Sequence, residues 1–202
     1  MSPALIFAPS SSSTSLCSEM LPLAFKLDGV DVLVVGAGVI GARKAAQLVD
    51  AGARVSVIAE EVRAVLPDGV VSVEQRSYRT GDLAGYFLVV SATGDPAIND
   101  LIVAEARDAR LWLNVVDDPD RSSFYFMALH RQGDVTVAVS TGGAAPALAQ
   151  AVRSLVAERL PSNLADVATR LREERRALHE SGTTTENLDW RSRIDELLAE
   201  TL

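Results

Sequence analysis

The chain has 202 residues, is 48% hydrophobic and 23% charged, and carries a formal net charge of −8, the balance of a globular protein with a proper core. No run approaches the ~18 apolar residues of a membrane span, and the acidic surplus disfavours nucleic acid, whose phosphates need a basic face. The single cysteine, Cys17, excludes an internal disulfide, and two histidines, His130 and His179, leave no zinc or haem spacing, so no metal site and a reducing cytoplasm are expected.

Residues 1–19 include a Ser/Thr-rich run at 10–15 and lack the basic start and apolar centre of a signal peptide. They read as a flexible tail, with translation starting at Met1 or Met20. From residue 20 to 118 short apolar runs alternate with amphipathic stretches. A buried strand is expected at 32–35, a helix at 40–51 stopped by Gly52, strands at 55–59, 70–73 and 86–92, a helix at 97–109 opened by Pro96, and a strand at 111–116. Such a succession predicts a parallel sheet with helices on both faces, because parallel neighbours need crossovers. After Asp118 the rhythm changes. Two strands, 124–129 and 135–139, flank a turn at Gln132-Gly133-Asp134, and a small-residue loop leads to a helix from Pro146 to about Arg159, which Pro161 ends. A charged helical segment begins at Ser162 and closes with an amphipathic helix over 190–202. The expected organisation is a tail over 1–19, a doubly wound α/β domain of Rossmann type over 20–118, a small α+β module over 119–160 and a helical segment over 161–202.

Gly36-Ala37-Gly38-Val39-Ile40-Gly41 has the spacing Gly-x-Gly-x-x-Gly between an expected strand and an expected helix. Gly36 suits the tight turn, Gly38 the approach of a pyrophosphate, and Gly41 close packing of helix on strand, while Val39 and Ile40 open the helix with free N–H groups. A glycine turn that binds nothing is the alternative. Glu60 and Glu61 follow the second strand where an acid holds a ribose hydroxyl, which favours NAD over NADP; a solvated helix start would look the same. Thr93 follows the fourth strand on the ligand side of the sheet, and Asp95 before Pro96 can cap the next helix. Asn114 and Val115 end the fifth strand on that side, followed by Asp117 and Asp118. Next to Pro119, Asp118 suits a turn, which leaves Asp117 for proton transfer. Ser140-Thr141-Gly142-Gly143 reads equally as a second anion-binding loop or as a helix-capping loop.

Five motifs in order carry a family resemblance: Gly36-Ala37-Gly38 with Ala42-Arg43-Lys44-Ala45, Ala51-Gly52-Ala53-Arg54-Val55, Ala92-Thr93-Gly94-Asp95-Pro96, Asn114-Val115-Val116-Asp117-Asp118-Pro119, and Ser140-Thr141-Gly142-Gly143 followed by Pro146. The chain over 21–160 closely resembles the precorrin-2 dehydrogenase and sirohydrochlorin ferrochelatase module of siroheme synthase, here without a methyltransferase half. The resemblance implies NAD-dependent oxidation of precorrin-2 to sirohydrochlorin, with Fe2+ insertion in bifunctional members, in a homodimer. It implies Asp117 as the residue serving both activities, and it matches Thr141 to a hydroxyl position that is a phosphorylatable serine in some members. Three departures fall on the substrate side: Ala144 and Ala145 replace polar residues, Phe124-Tyr125-Phe126-Met127 lacks the family's proline, and Gln150 stands where an arginine is common. Arg121, Arg131 and Arg153 are the cations available to compensate. The alternatives are a relative with a modified substrate site, acting as another chelatase or oxidoreductase, and a non-catalytic dinucleotide-binding regulatory protein.

Overall fold

The first strand, β1 (Asp31–Ala37), carries the apolar run Val32-Leu33-Val34-Val35, and Val32, Leu33 and Val34 are wholly inaccessible to solvent. Burial on both sides is what a parallel strand with covered faces requires. The structure is a computed structural model that describes residues 20–185 and 188–200. The expected tail over 1–19 and Cys17 lie outside the described residues, as do the last two positions of the expected final helix.

Five parallel strands form one sheet in the order β3-β2-β1-β4-β5, with β2 (Arg54–Val62), β3 (Val70–Gln75), β4 (Leu88–Ser91) and β5 (Trp112–Val115). Helix α1 (Val39–Val49) links β1 to β2, and α2 (Pro96–Ala109) links β4 to β5. The order reverses between β1 and β4, so right-handed crossovers put the two helices on opposite faces. This is the expected α/β architecture, with one difference. The β2–β3 and β3–β4 connections, residues 63–69 and 76–87, contain no helix. Pro67 and Gly69 interrupt the first, and Gly81 and Gly85, both at positive φ, interrupt the second. Without a covering helix β3 stays exposed along five of its six residues, which is why its apolar pattern is weak.

The irregular β3–β4 connection is nonetheless anchored. Glu105 on α2 accepts from the Tyr78 hydroxyl and from the backbone N–H groups of Gly81 and Leu83. Tyr78 and Leu83 are buried in the core with Leu33, Ile58, Val89, Ile102 and Leu113. Burial and the Glu105 carboxylate push the Tyr78 phenol far up, so it stays a proton donor.

A second compact unit begins at Phe126. Its hairpin, β6 (Ala128–Gln132) and β7 (Val135–Val139), turns at Gly133-Asp134 and packs against α3 (Pro146–Ala157). Helices α4 (Leu164–Glu180) and α5 (Trp190–Ala199) pair through Arg193 on Glu174 and through buried Asn163, whose amide donates to the Leu197 carbonyl. The strand expected at 124–129 is corrected. It begins at Ala128, because Phe124 and Tyr125 are held by the first unit: the Asn114 amide donates to the Phe124 carbonyl and the Tyr125 hydroxyl to the Pro119 carbonyl.

Candidate functional site

The Gly-rich turn leaves β1 with Gly36 at φ 104, and a side chain there would start 2.5 Å from the Ala92 carbonyl oxygen. Gly41 is tighter still: a Cβ would lie 2.0 Å from the Gly36 oxygen. Gly38 is the opposite case, with nothing within 4 Å of where its side chain would begin. The first helical hydrogen bond of α1 runs from the Ala42 N–H to the Gly38 oxygen, so the N–H groups ahead of it, Val39 and Ile40 included, have no helical acceptor. An open space at a glycine facing free N–H groups and the positive end of a helix is a cradle for a pyrophosphate. The residues present therefore fit a dinucleotide.

From this turn a cleft of about 230 Å³ runs along the carboxyl edge of the sheet, and Gly36, Gly38, Glu60, Glu61 and Thr93 line it together. Glu61 pairs with Arg63 at 2.7 Å, and Glu60 accepts from the Ser77 hydroxyl at 2.5 Å. The Thr93 hydroxyl accepts from the Asp95 N–H, and the Asp95 carboxylate caps α2 by accepting from the Ala97 N–H at 2.9 Å. Asn99 on α2 fixes this turn from below, accepting from the Ser91 hydroxyl and donating to the Thr93 carbonyl.

Asp117 lies beyond β5 on the same edge, in the left-handed region at φ 61. A non-glycine residue there costs on the order of 1 kcal/mol and persists only where its surroundings impose it. The surroundings are visible. Among the described residues the outer edge of β5 has no strand neighbour; instead the Ser123 hydroxyl accepts from the Leu113 N–H at 2.8 Å and the Ser122 hydroxyl from the Val115 N–H at 2.9 Å. Ser122 also donates to the Asp118 carbonyl, so one hydroxyl brackets Asp117 on both sides. Asp118 is spent on the turn: its carboxylate accepts from the Arg121 guanidinium and backbone N–H, and Arg121 reaches on to Asp100 at 2.7 Å. Asp117 is left exposed at the tip. Burial and the neighbouring Arg43 pull the Lys44 ammonium on α1 down to about 8, and the charge of Asp117 opposes them.

The Asn114 amide donates to the Phe124 carbonyl, and the Val115 side chain is buried. Thr141, Gly142 and Gly143 lie in the second unit, where the Thr141 hydroxyl accepts from the Ala145 N–H and donates to the Ala145 carbonyl, closing the loop on itself. Of the three compensating arginines, Arg121 is committed to Asp118 and Asp100, and Arg153 donates to Gln150. Ser77 and Ser122 carry no motif that spacing could reveal. Their partners, Glu60 and Val115, are brought to them by the topology.

A family profile described as NAD(P)-binding matches residues 23–128, and one described as the central part of a sirohaem biosynthesis protein matches residues 132–159. The chain is 41% identical over 152 residues to a siroheme synthase of Ectopseudomonas mendocina, a match covering 74% of this chain and 33% of that protein. It is likewise 41% identical over 168 residues to a siroheme synthase of Pseudomonas entomophila, covering 80% and 36%. The chain thus spans about a third of the length of these curated relatives. A solved structure titled SirC, precorrin-2 dehydrogenase, superposes with a TM-score of 0.65 at 25% identity, covering 90% of this chain and 88% of that one.

Proposed function

The chain belongs to the family of NAD(P)-binding domains shared with siroheme synthases, and from that premise we propose that it oxidises precorrin-2 to sirohydrochlorin with NAD. The observation that carries the reading is Asp117, a carboxylate in a strained conformation on the edge that also bears the glycine cradle. Oxidation takes two hydrogens from the tetrapyrrole, one as hydride and one as proton. NAD, when bound, supplies the hydride acceptor. The chain's own residues do the rest: the α1 N-terminus and Gly38 hold the pyrophosphate, Glu60 holds a ribose diol, and Asp117 takes the proton. Confined to the turn by Arg121, Asp118 leaves Asp117 as the acceptor of the pair.

The same reading takes in Fe2+ as a second substrate. Its insertion requires loss of pyrrole protons, for which Asp117 also serves, while the tetrapyrrole nitrogens hold the metal. The reading further includes a homodimer working in the cytoplasm. In its favour, α3 exposes Leu148 and Leu155 seven residues apart on one face. No helix among the described residues is long and apolar enough to cross a membrane.

The test is to incubate the purified chain with precorrin-2 and NAD and follow sirohydrochlorin by absorbance; absence of NAD-dependent product would reject the reading. If the reading holds, Ser122→Ala loosens the bracket around Asp117 without touching the glycine cradle. Turnover is expected to fall about tenfold, the scale of one charge-free hydrogen bond set against a buried N–H left unpaired, with NAD affinity by calorimetry moving less than about twofold.

A further inference from the structure

The cofactor end farthest from Asp117 is more elaborately built than ribose binding alone requires. β2 and β3 pair as far as Ala59 and Gln75, and Glu60, the next residue of β2, comes against Ser77 just past the end of β3. Both arginines at this end of the cleft already hold carboxylates. Arg63 is paired with Glu61, and Arg76 makes a two-pronged contact with Asp82 at 2.6 and 2.9 Å and a third with Glu74 at 2.7 Å. Arg76 also donates to the Ser77 carbonyl at 3.1 Å, and on the other side Tyr78 is tied to Glu105. Ser77 is therefore clamped from both neighbours, and its hydroxyl donates to Glu60. Among the described residues Glu60 has no cationic partner.

Resting on the reading that the cleft takes NAD, we propose that Ser77 is a positioning residue that sets cofactor specificity. It holds the Glu60 carboxylate in the pose that accepts both hydroxyls of the adenosine ribose, and so selects the dinucleotide without a 2′-phosphate. The chemistry is direct. A hydroxyl donating to one carboxylate oxygen fixes the plane of the group and leaves the other oxygen free to accept from a diol. A phosphate on the same ribose meets an uncompensated carboxylate, and Asp82, Glu74 and Glu61 already engage the arginines that would welcome it. Arg63 is the one with the looser hold, since its pair with Glu61 is mostly exposed and weak.

Calorimetric titration with NAD and with NADP, on the full chain and on Ser77→Ala, Ser77→Thr and Glu60→Gln, tests this. The unaltered chain should bind NAD at least tenfold more tightly than NADP. In Ser77→Ala that ratio should shrink roughly 3- to 10-fold, through weaker NAD binding, with the thermal midpoint unchanged. Ser77→Thr, which keeps the hydroxyl, should restore the ratio to within about twofold, and Glu60→Gln should lose it as Ser77→Ala does. An unchanged ratio in Ser77→Ala, or equal weakening of both dinucleotides with a lower thermal midpoint, overturns the proposal. Failure of the unaltered chain to bind either dinucleotide overturns the cofactor reading itself, and this proposal with it.

Discussion

Asp117→Asn is expected to lower kcat for precorrin-2 oxidation by about 10²- to 10⁴-fold, the range for losing a positioned general base, while NAD affinity stays within about twofold. Asparagine is the informative substitution because, with aspartate, it tolerates the left-handed conformation better than most residues. The turn at φ 61 is therefore preserved and only the proton acceptor is lost. Ser122 and Arg121 hold the turn through Val115, Asp118 and Asp100, none of which the substitution touches. A second effect accompanies the first. Asp117 favours the charged form of Lys44 against burial and Arg43, so removing its charge is expected to lower the Lys44 ammonium further. In the pH profile, loss of the base lowers activity across the whole range. Turnover equal to that of the unaltered chain would assign the proton to another group.

The second large effect is Gly41→Ala. Helix propensity alone would make it favourable by up to about 1 kcal/mol. Sterics reverse the sign. The new methyl would lie 2.0 Å from the Gly36 carbonyl oxygen, a backbone atom, so α1 has to move away from β1. Overpacking of this kind costs roughly 1–3 kcal/mol, which for a chain of this length lowers the thermal midpoint by roughly 2–12 °C. Displacing α1 also moves the N–H groups off the pyrophosphate, so NAD binding should fall more than tenfold. Gly38→Ala is the control, since open space surrounds that position. It should leave the thermal midpoint in place and weaken only the dinucleotide. Equal thermal midpoints for both variants would contradict the packing argument.

The contrast between these glycines was partly written in the sequence. Gly-x-Gly-x-x-Gly between a strand and a helix assigns the roles of Gly36, Gly38 and Gly41 in advance, because the motif is local and its physics is local. The parallel sheet was legible for the same reason, since each strand's burial is recorded in its own residues, from the apolar run of β1 to the mixed run of β3. What was not legible depends on separation along the chain. Nothing near Glu60 announces Ser77, 17 residues on, and nothing in 76–87 announces that Glu105 gathers that segment from α2. The misplaced strand at 124–129 has the same origin. Phe124-Tyr125-Phe126 is apolar enough for a strand, but Asn114 and Pro119 claim the first two residues, ten and six positions away. Glu60 and Glu61 were indistinguishable by position, and it is Arg63, pairing with Glu61, that tells them apart.

The absence of helices between β2, β3 and β4 has an energetic consequence. One end of the cleft rests on the buried runs of β1 and β4, while the other is lined by Arg76, Ser77 and Tyr78 of the irregular segment that follows exposed β3. Segments with few buried apolar contacts and exposed backbone bonds open locally at much lower free energy than the global unfolding barrier to the same amides in a core strand. A dinucleotide spanning both ends binds only the closed form, and at a hundred times its Kd it adds about 2.7 kcal/mol to that closed form. The ligand thus ties down the segment that leads out of β3, and the amides of residues 76–82 are expected to record its occupancy as slowed hydrogen exchange.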